Sequence, residues 1–122
     1  MHVEDDATWR ELVRTALKGY DVESVSDVDG AVAAMREASP YDAVIVDLNL
    51  NTDSDLGGGD ILDLVRVMYP ATRVIVITGA PPAGSVRSNI FERYDVDELL
   101  IKTHLTLQEI REAVAPRPSQ TR

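Results

Sequence analysis

Apolar residues along this chain fall into two patterns that alternate. Short continuous runs, clearest at Val44-Ile45-Val46 and Val74-Ile75-Val76-Ile77, are β-branched throughout and read as strands buried on both faces. Other apolar residues recur at helical spacing: Trp9, Leu12, Val13, Ala16 and Leu17, then Val28, Val32, Met35 and Ala38. A third set is Ile61, Leu64, Val65 and Met68, and the last is Leu107, Ile110 and Val114. Val86, Ile90 and Phe91, after Pro81 and Pro82, form a sparser fourth helix between the last two.

Punctuation residues set the boundaries. Thr8 with Glu11 predicts a capping box for the first helix, which Gly19 ends. Tyr20 to Val25 alternates polar and apolar as an edge strand does, and Ser26 or Asp27 caps the second helix, closed by Pro40. Residues 51–59 read as a polar, glycine-rich loop, and Pro70 stops the third helix. Thr72 to Ile77 is the fourth strand, Leu99 to Ile101 the fifth, and Thr106 with Glu109 a capping box for the final helix. The first strand is short, with only Met1, His2 and Val3 before an acidic cluster, as though its start were clipped. Five strands alternating with five helices predict an α/β doubly wound parallel sheet with right-handed crossovers. The domain is expected over residues 1–115, and residues 116–122 form a polar tail or the start of a linker.

At 122 residues the chain is long enough for one domain with a real core. Its 44% hydrophobic and 27% charged residues are globular proportions. No apolar stretch approaches the roughly 20 residues of a membrane span, and the polar, acidic N-terminus does not resemble a signal peptide, so a cytoplasmic setting without membrane contact is expected. The absence of cysteine removes disulfides and thiolate metal sites. A formal charge of −9 argues against a direct nucleic-acid face. Of the 12 basic residues only Lys18 and Lys102 are lysines, which makes a lysine ending an apolar strand informative.

The strand ends collect the chemistry. Glu4 and Asp5 close the first strand, Asp47 the third, Thr78 the fourth and Lys102 the fifth, all on the carboxyl rim where open α/β sheets bind ligands. Carboxylates about 5 Å apart repel by roughly 3 kcal/mol per pair at an effective dielectric near 20, so Glu4, Asp5 and Asp47 together call for a cation. Magnesium, with its oxygen ligands and retained waters, suits them best. Taken singly, each residue has an ordinary role: acidic groups at a helix N-terminus, Asp47 as a cap, Thr78 as a turn hydroxyl before Gly79, Lys102 reaching for water, Asn49 in a loop. Their joint placement carries the signal.

This order of residues resembles the receiver domain of two-component response regulators over residues 3 to 115. The resemblance implies a flavodoxin-like sheet of order 2-1-3-4-5. It also implies that Asp47 is the phospho-acceptor, that Asp5 binds Mg2+ directly with Glu4 helping to hold it, and that the backbone carbonyl of Asn49 is a further metal ligand. Thr78 would contact the phosphoryl group and report it to the face formed by the fourth helix and fifth strand, and Lys102 would pair with it. The implied partners are a sensor histidine kinase or phosphotransfer protein and a downstream output domain or protein, and a homodimer is compatible. The domain would be no enzyme beyond catalysing its own phosphorylation and dephosphorylation.

Three departures stand out. Gly59 lies twelve positions beyond Asp47, further than receivers usually reach their third-helix glycine. Leu99 stands where they commonly carry a switchable aromatic. Thr103 stands where many have proline, which puts a cis peptide there in doubt. These motivate an alternative, a degenerate receiver acting as a phosphorylation-independent interaction module. Phosphatases of the haloacid dehalogenase type need a second aspartate where this chain has Asn49, and a flavin module lacks its Ser/Thr-rich phosphate loop after the first strand.

Overall fold

The computed structural model describes residues 1–37, 40–47, 56–79 and 95–115. Five strands, β1 (His2–Val3), β2 (Ser24–Val25), β3 (Ala43–Asp47), β4 (Arg73–Thr78) and β5 (Glu98–Ile101), form one sheet of order β2-β1-β3-β4-β5, every pair parallel. The described helices are α1 (Ala7–Ala16), α2 (Val28–Glu37), α3 (Leu56–Met68) and α4 (Leu107–Val114), with a 3-10 turn at Lys102–His104. The expected helix around Val86, Ile90 and Phe91 lies outside the described residues.

The two apolar runs split their side chains by strand pleat, as a strand covered on both faces must. Val44, Val46, Val74 and Val76 join a core with Ala31 and Met35 of α2 and Ile61, Leu62 and Val65 of α3. Ile45, Ile75 and Ile77 join another with Val13 and Ala16 of α1 and Ile110 and Ala113 of α4. Each such valine, isoleucine, leucine or methionine side chain taken out of water contributes about 1.5–3 kcal/mol. The two halves of the core thus hold the strands, and with them the carboxyl rim, in fixed register.

Several boundaries differ from the sequence pattern. Helix α1 is capped by Asp6, whose carboxylate accepts from the amides of Thr8 (2.8 Å) and Trp9 (3.4 Å), and not by Thr8. Strand β2 spans two residues where Tyr20 to Val25 was expected, because β1 offers only His2 to Glu4 as partner: His2 N donates to Glu23 O and Glu4 N to Val25 O. Tyr20 belongs to the turn around Gly19, which has φ +100° and ends the helical path. Asp27 caps α2 by accepting from Gly30 N at 2.7 Å. Ala31 is buried on α2, and Val32 only partly.

Helix α3 begins at Leu56, so Gly57 to Gly59 are helical and the loop expected to reach residue 59 ends by 55. Leu62 is buried on it, whereas Met68 is exposed. Strand β4 runs from Arg73 to Thr78, and Thr72 instead donates its hydroxyl to Tyr41 O at 2.6 Å. The capping box at Thr106 and Glu109 is present in both directions, while Leu107 is exposed.

Candidate functional site

Register brings the rim residues together. His2 and Val3 pair with Ile45 and Val46, so the residues that follow, Glu4 and Asp47, leave adjacent strands side by side. Carboxylate oxygens of Glu4, Asp5 and Asp47 all lie within 4.8 Å of one another. Glu4 is buried, Asp47 half-buried and Asp5 exposed. Thr78, the last residue of β4, is buried and pairs with Ile101, which places it one residue from Lys102 across the sheet.

Lys102 reaches into this cluster. Its Nζ lies 3.1 Å from Glu4 Oε1 and 3.4 Å from Asp47 Oδ1. The other oxygen of Glu4 accepts from Asp6 N at 3.2 Å, and Arg10 Nη1 donates to the Glu4 carbonyl at 2.8 Å. Burial raises the Glu4 carboxyl to about 7, reinforced by the charge of Asp47 and opposed by Lys102. Glu4 and Asp47 therefore share the Lys102 ammonium, with the Asp5 carboxylate beside them, leaving a net negative charge that a bound cation would offset. Oxygen donors alone, two of them strand-end carboxylates, fit a hard cation such as magnesium or calcium and give a softer metal no thiolate or imidazole.

All five expected side chains lie on the carboxyl rim, and Glu4, Asp5, Asp47 and Lys102 converge within it. Asn49 and the segment 51–55 lie outside the described residues, as does the helix expected to carry the Thr78 signal. Leu99 is buried in the core with Val74 and Val76. The backbone at Thr103 is a turn of 3-10 helix, and among the described residues no peptide bond is cis.

Two contributors were not singled out by sequence. Trp9, read from the sequence only as one of the apolar residues at helical spacing, stands over Lys102 with its ring centroid 4.9 Å from Nζ. Arg10, next along α1, holds the Glu4 backbone. A signal existed: both sit in the first turn of a helix that follows the acidic cluster, and helical side chains lean toward the N-terminus, here toward the rim.

A family model described as the response regulator receiver domain matches residues 1–115. Similar solved structures include a response regulator receiver domain protein from Clostridium thermocellum, 25% identical, covering 93% of this chain and 87% of that one with a TM-score of 0.71. The receiver domain of NtrX from Brucella abortus is 24% identical, with 93% and 95% covered and a TM-score of 0.72. The response regulator protein TrrA from Thermotoga maritima, solved in complex with Mg2+ and BeF, is 23% identical, with 93% and 92% covered and a TM-score of 0.72. No curated protein matches the chain.

Proposed function

The chain belongs to the response regulator receiver domain family, matched over residues 1–115, and on that premise we propose that it accepts a phosphoryl group on Asp47 from a phosphohistidine donor, with a magnesium ion held by the acidic cluster. The observation that carries this reading is the convergence of Glu4, Asp5, Asp47 and the Lys102 ammonium at the ends of neighbouring strands.

In the transfer an Asp47 carboxylate oxygen attacks phosphorus, the bond from phosphorus to the donor imidazole nitrogen breaks, and that nitrogen keeps the electron pair and takes up a proton. An acyl phosphate on Asp47 results. Negative charge spreads over the equatorial phosphoryl oxygens, and the Lys102 ammonium offsets part of it within hydrogen-bond reach. Asp5 and Asp47, with Glu4 behind them, would hold the magnesium ion, which supplies further neutralisation of the phosphoryl oxygens when bound. Thr78 offers a hydroxyl from the neighbouring strand end, and its shift toward the new phosphoryl group would move a two-state equilibrium read by a partner. A sensor histidine kinase or phosphotransfer protein would be the donor, in the cytoplasm, and an output domain or protein the reader.

Incubation with acetyl phosphate and magnesium is expected to produce a hydroxylamine-labile phosphate on Asp47, and beryllofluoride with magnesium to shift amide resonances at Thr78 and Lys102. Failure of both would leave the interaction-module reading, in which a partner binds the wild type and Asp47→Ala equally well.

A further inference from the structure

Lys102 sits where β5 passes into a 3-10 turn, so the backbone fixes its Cα and leaves a flexible four-carbon stem to deliver the charge. Among the described residues the ammonium has three neighbours. Two are the carboxylates of Glu4 and Asp47, and the third is the face of Trp9.

Trp9 is itself held. Its amide donates to the Asp6 carboxylate that caps α1, and it lies between that cap and Arg10, which grips the Glu4 carbonyl. The backbone that carries the indole is therefore tied to the same loop that carries Glu4 and Asp5. An indole face at this range attracts an ammonium through its quadrupole, an interaction that strengthens as water is excluded. The Lys102 side chain is only 17% exposed.

We propose that Trp9 is a positioning residue for Lys102, its ring face holding the ammonium in the pocket between Glu4 and Asp47 as those carboxylates exchange their partners. The consequence for catalysis rests on the reading that Lys102 acts on a phosphoryl group at Asp47. The contact itself does not. When a phosphoryl group and a metal ion engage the carboxylates, both anionic partners of Lys102 are drawn off. The ring is the neighbour that persists, and it keeps the stem from swinging to solvent.

Replacement by leucine keeps an apolar side chain and loses the quadrupole, whereas phenylalanine keeps an aromatic face. In the metal-free full chain, the Lys102 Hε resonances are expected upfield in wild type, partly so in Trp9→Phe, and at ordinary lysine positions in Trp9→Leu. With acetyl phosphate and magnesium, Trp9→Leu should phosphorylate roughly three- to tenfold more slowly and Trp9→Phe within about twofold of wild type. Trp9 is the single tryptophan of the chain, so its emission should also change in Lys102→Met, a measurement that stands even if Trp9→Leu does not fold. Identical Lys102 Hε shifts in wild type and Trp9→Leu, or emission of Lys102→Met unchanged from wild type, overturn the proposal. Equal rates in all three proteins, with wild type phosphorylated, overturn its catalytic part. A wild type that takes no phosphate sinks the acceptor reading instead, and the resonance shifts still decide the contact.

Discussion

Lys102 and Arg66 occupy opposite ends of the sheet, and each is a cation set among carboxylates, but their surroundings differ in kind. Arg66, on α3, donates Nη1 to the carbonyls of Pro70 (3.1 Å) and Thr72 (3.0 Å), and Nη2 to Asp95 O (2.5 Å) and Asp97 Oδ2 (3.2 Å). Asp97 Oδ2 also accepts from Val74 N at 2.7 Å. That cluster ties the entries of β4 and β5 to α3 with its acceptors spread over backbone and two carboxylates. At the carboxyl rim, three carboxylates cluster with one ammonium against two of them, and the buried one is driven toward its protonated form. A charge cluster whose cation donates mainly to backbone carbonyls builds the fold. One that packs a buried carboxylate against further carboxylates is prepared for something from outside.

The largest expected effect separates the two ends outright. Asp47→Asn should abolish acyl phosphate formation while leaving the metal-free protein as stable as wild type or slightly more so, since a like charge near Glu4 is removed. Arg66→Ala should do the reverse, lowering unfolding free energy by about 2–3 kcal/mol through loss of several charged hydrogen bonds, with phosphate incorporation in the folded fraction retained. Urea denaturation alongside acetyl phosphate labelling measures both. A large stability loss in Asp47→Asn would mean that the rim is structural after all.

How far the sequence discloses this contrast depends on where the information lies. The runs Val44–Val46 and Val74–Ile77 disclose the central strands because a doubly covered strand has no polar face, and strand ends fix the rim. Asp47 and Lys102 are legible for the same reason. Helix α3 starts within three glycines, residues whose conformational freedom opposes a helix, so tertiary packing of Ile61, Leu62 and Val65 overrides local preference. Strand β2 is short because its partner is short, a fact held in pairing and not in its own alternation. Trp9 and Arg66 show the same limit: spacing says which helix face a side chain occupies, but not whether a lysine from 93 positions away arrives over the ring, or two loops close around the guanidinium.

A smaller effect concerns pH and bears on two buried groups of β1 and its end. Glu4 is raised from 4.5 to about 7, so in the metal-free protein the folded state holds more protons than the unfolded one and stability falls as pH rises through that window. His2, 1% exposed, is lowered from 6.5 to about 4 chiefly by burial, so stability instead rises with pH between those values. The Met1 ammonium, lowered from 8.0 to about 6 chiefly by burial, adds a rise at higher pH. Each of these changes in stability is on the order of 3 kcal/mol. Because the first two oppose, thermal melts of the metal-free wild type should vary little between pH 4.5 and 6.5. Glu4→Gln should uncover the rising limb and His2→Leu the falling one. Magnesium, favouring ionised Glu4, should cancel the fall and bind more tightly as pH rises. Parallel profiles for Glu4→Gln and wild type would show that Glu4 titrates like a surface carboxyl.

The smallest effect divides three consecutive acidic residues. Glu4 and Asp5 contribute oxygens to the rim cluster, whereas Asp6 turns its carboxylate to the free amides of α1. A single run of charge thus contains both kinds of site. Asp6→Ala should remove the cap and lower unfolding free energy by about 1 kcal/mol with little change in magnesium affinity. Asp5→Ala, at an exposed position with no capping role, should leave the unfolding midpoint nearly unchanged and weaken magnesium binding, followed by titration of Trp9 emission. The two variants exchange their phenotypes if Asp5 caps the helix in solution. They converge if the triplet acts only as a diffuse negative patch, in which case high salt would equalise their magnesium affinities, because long-range attraction is screened while direct ligation persists.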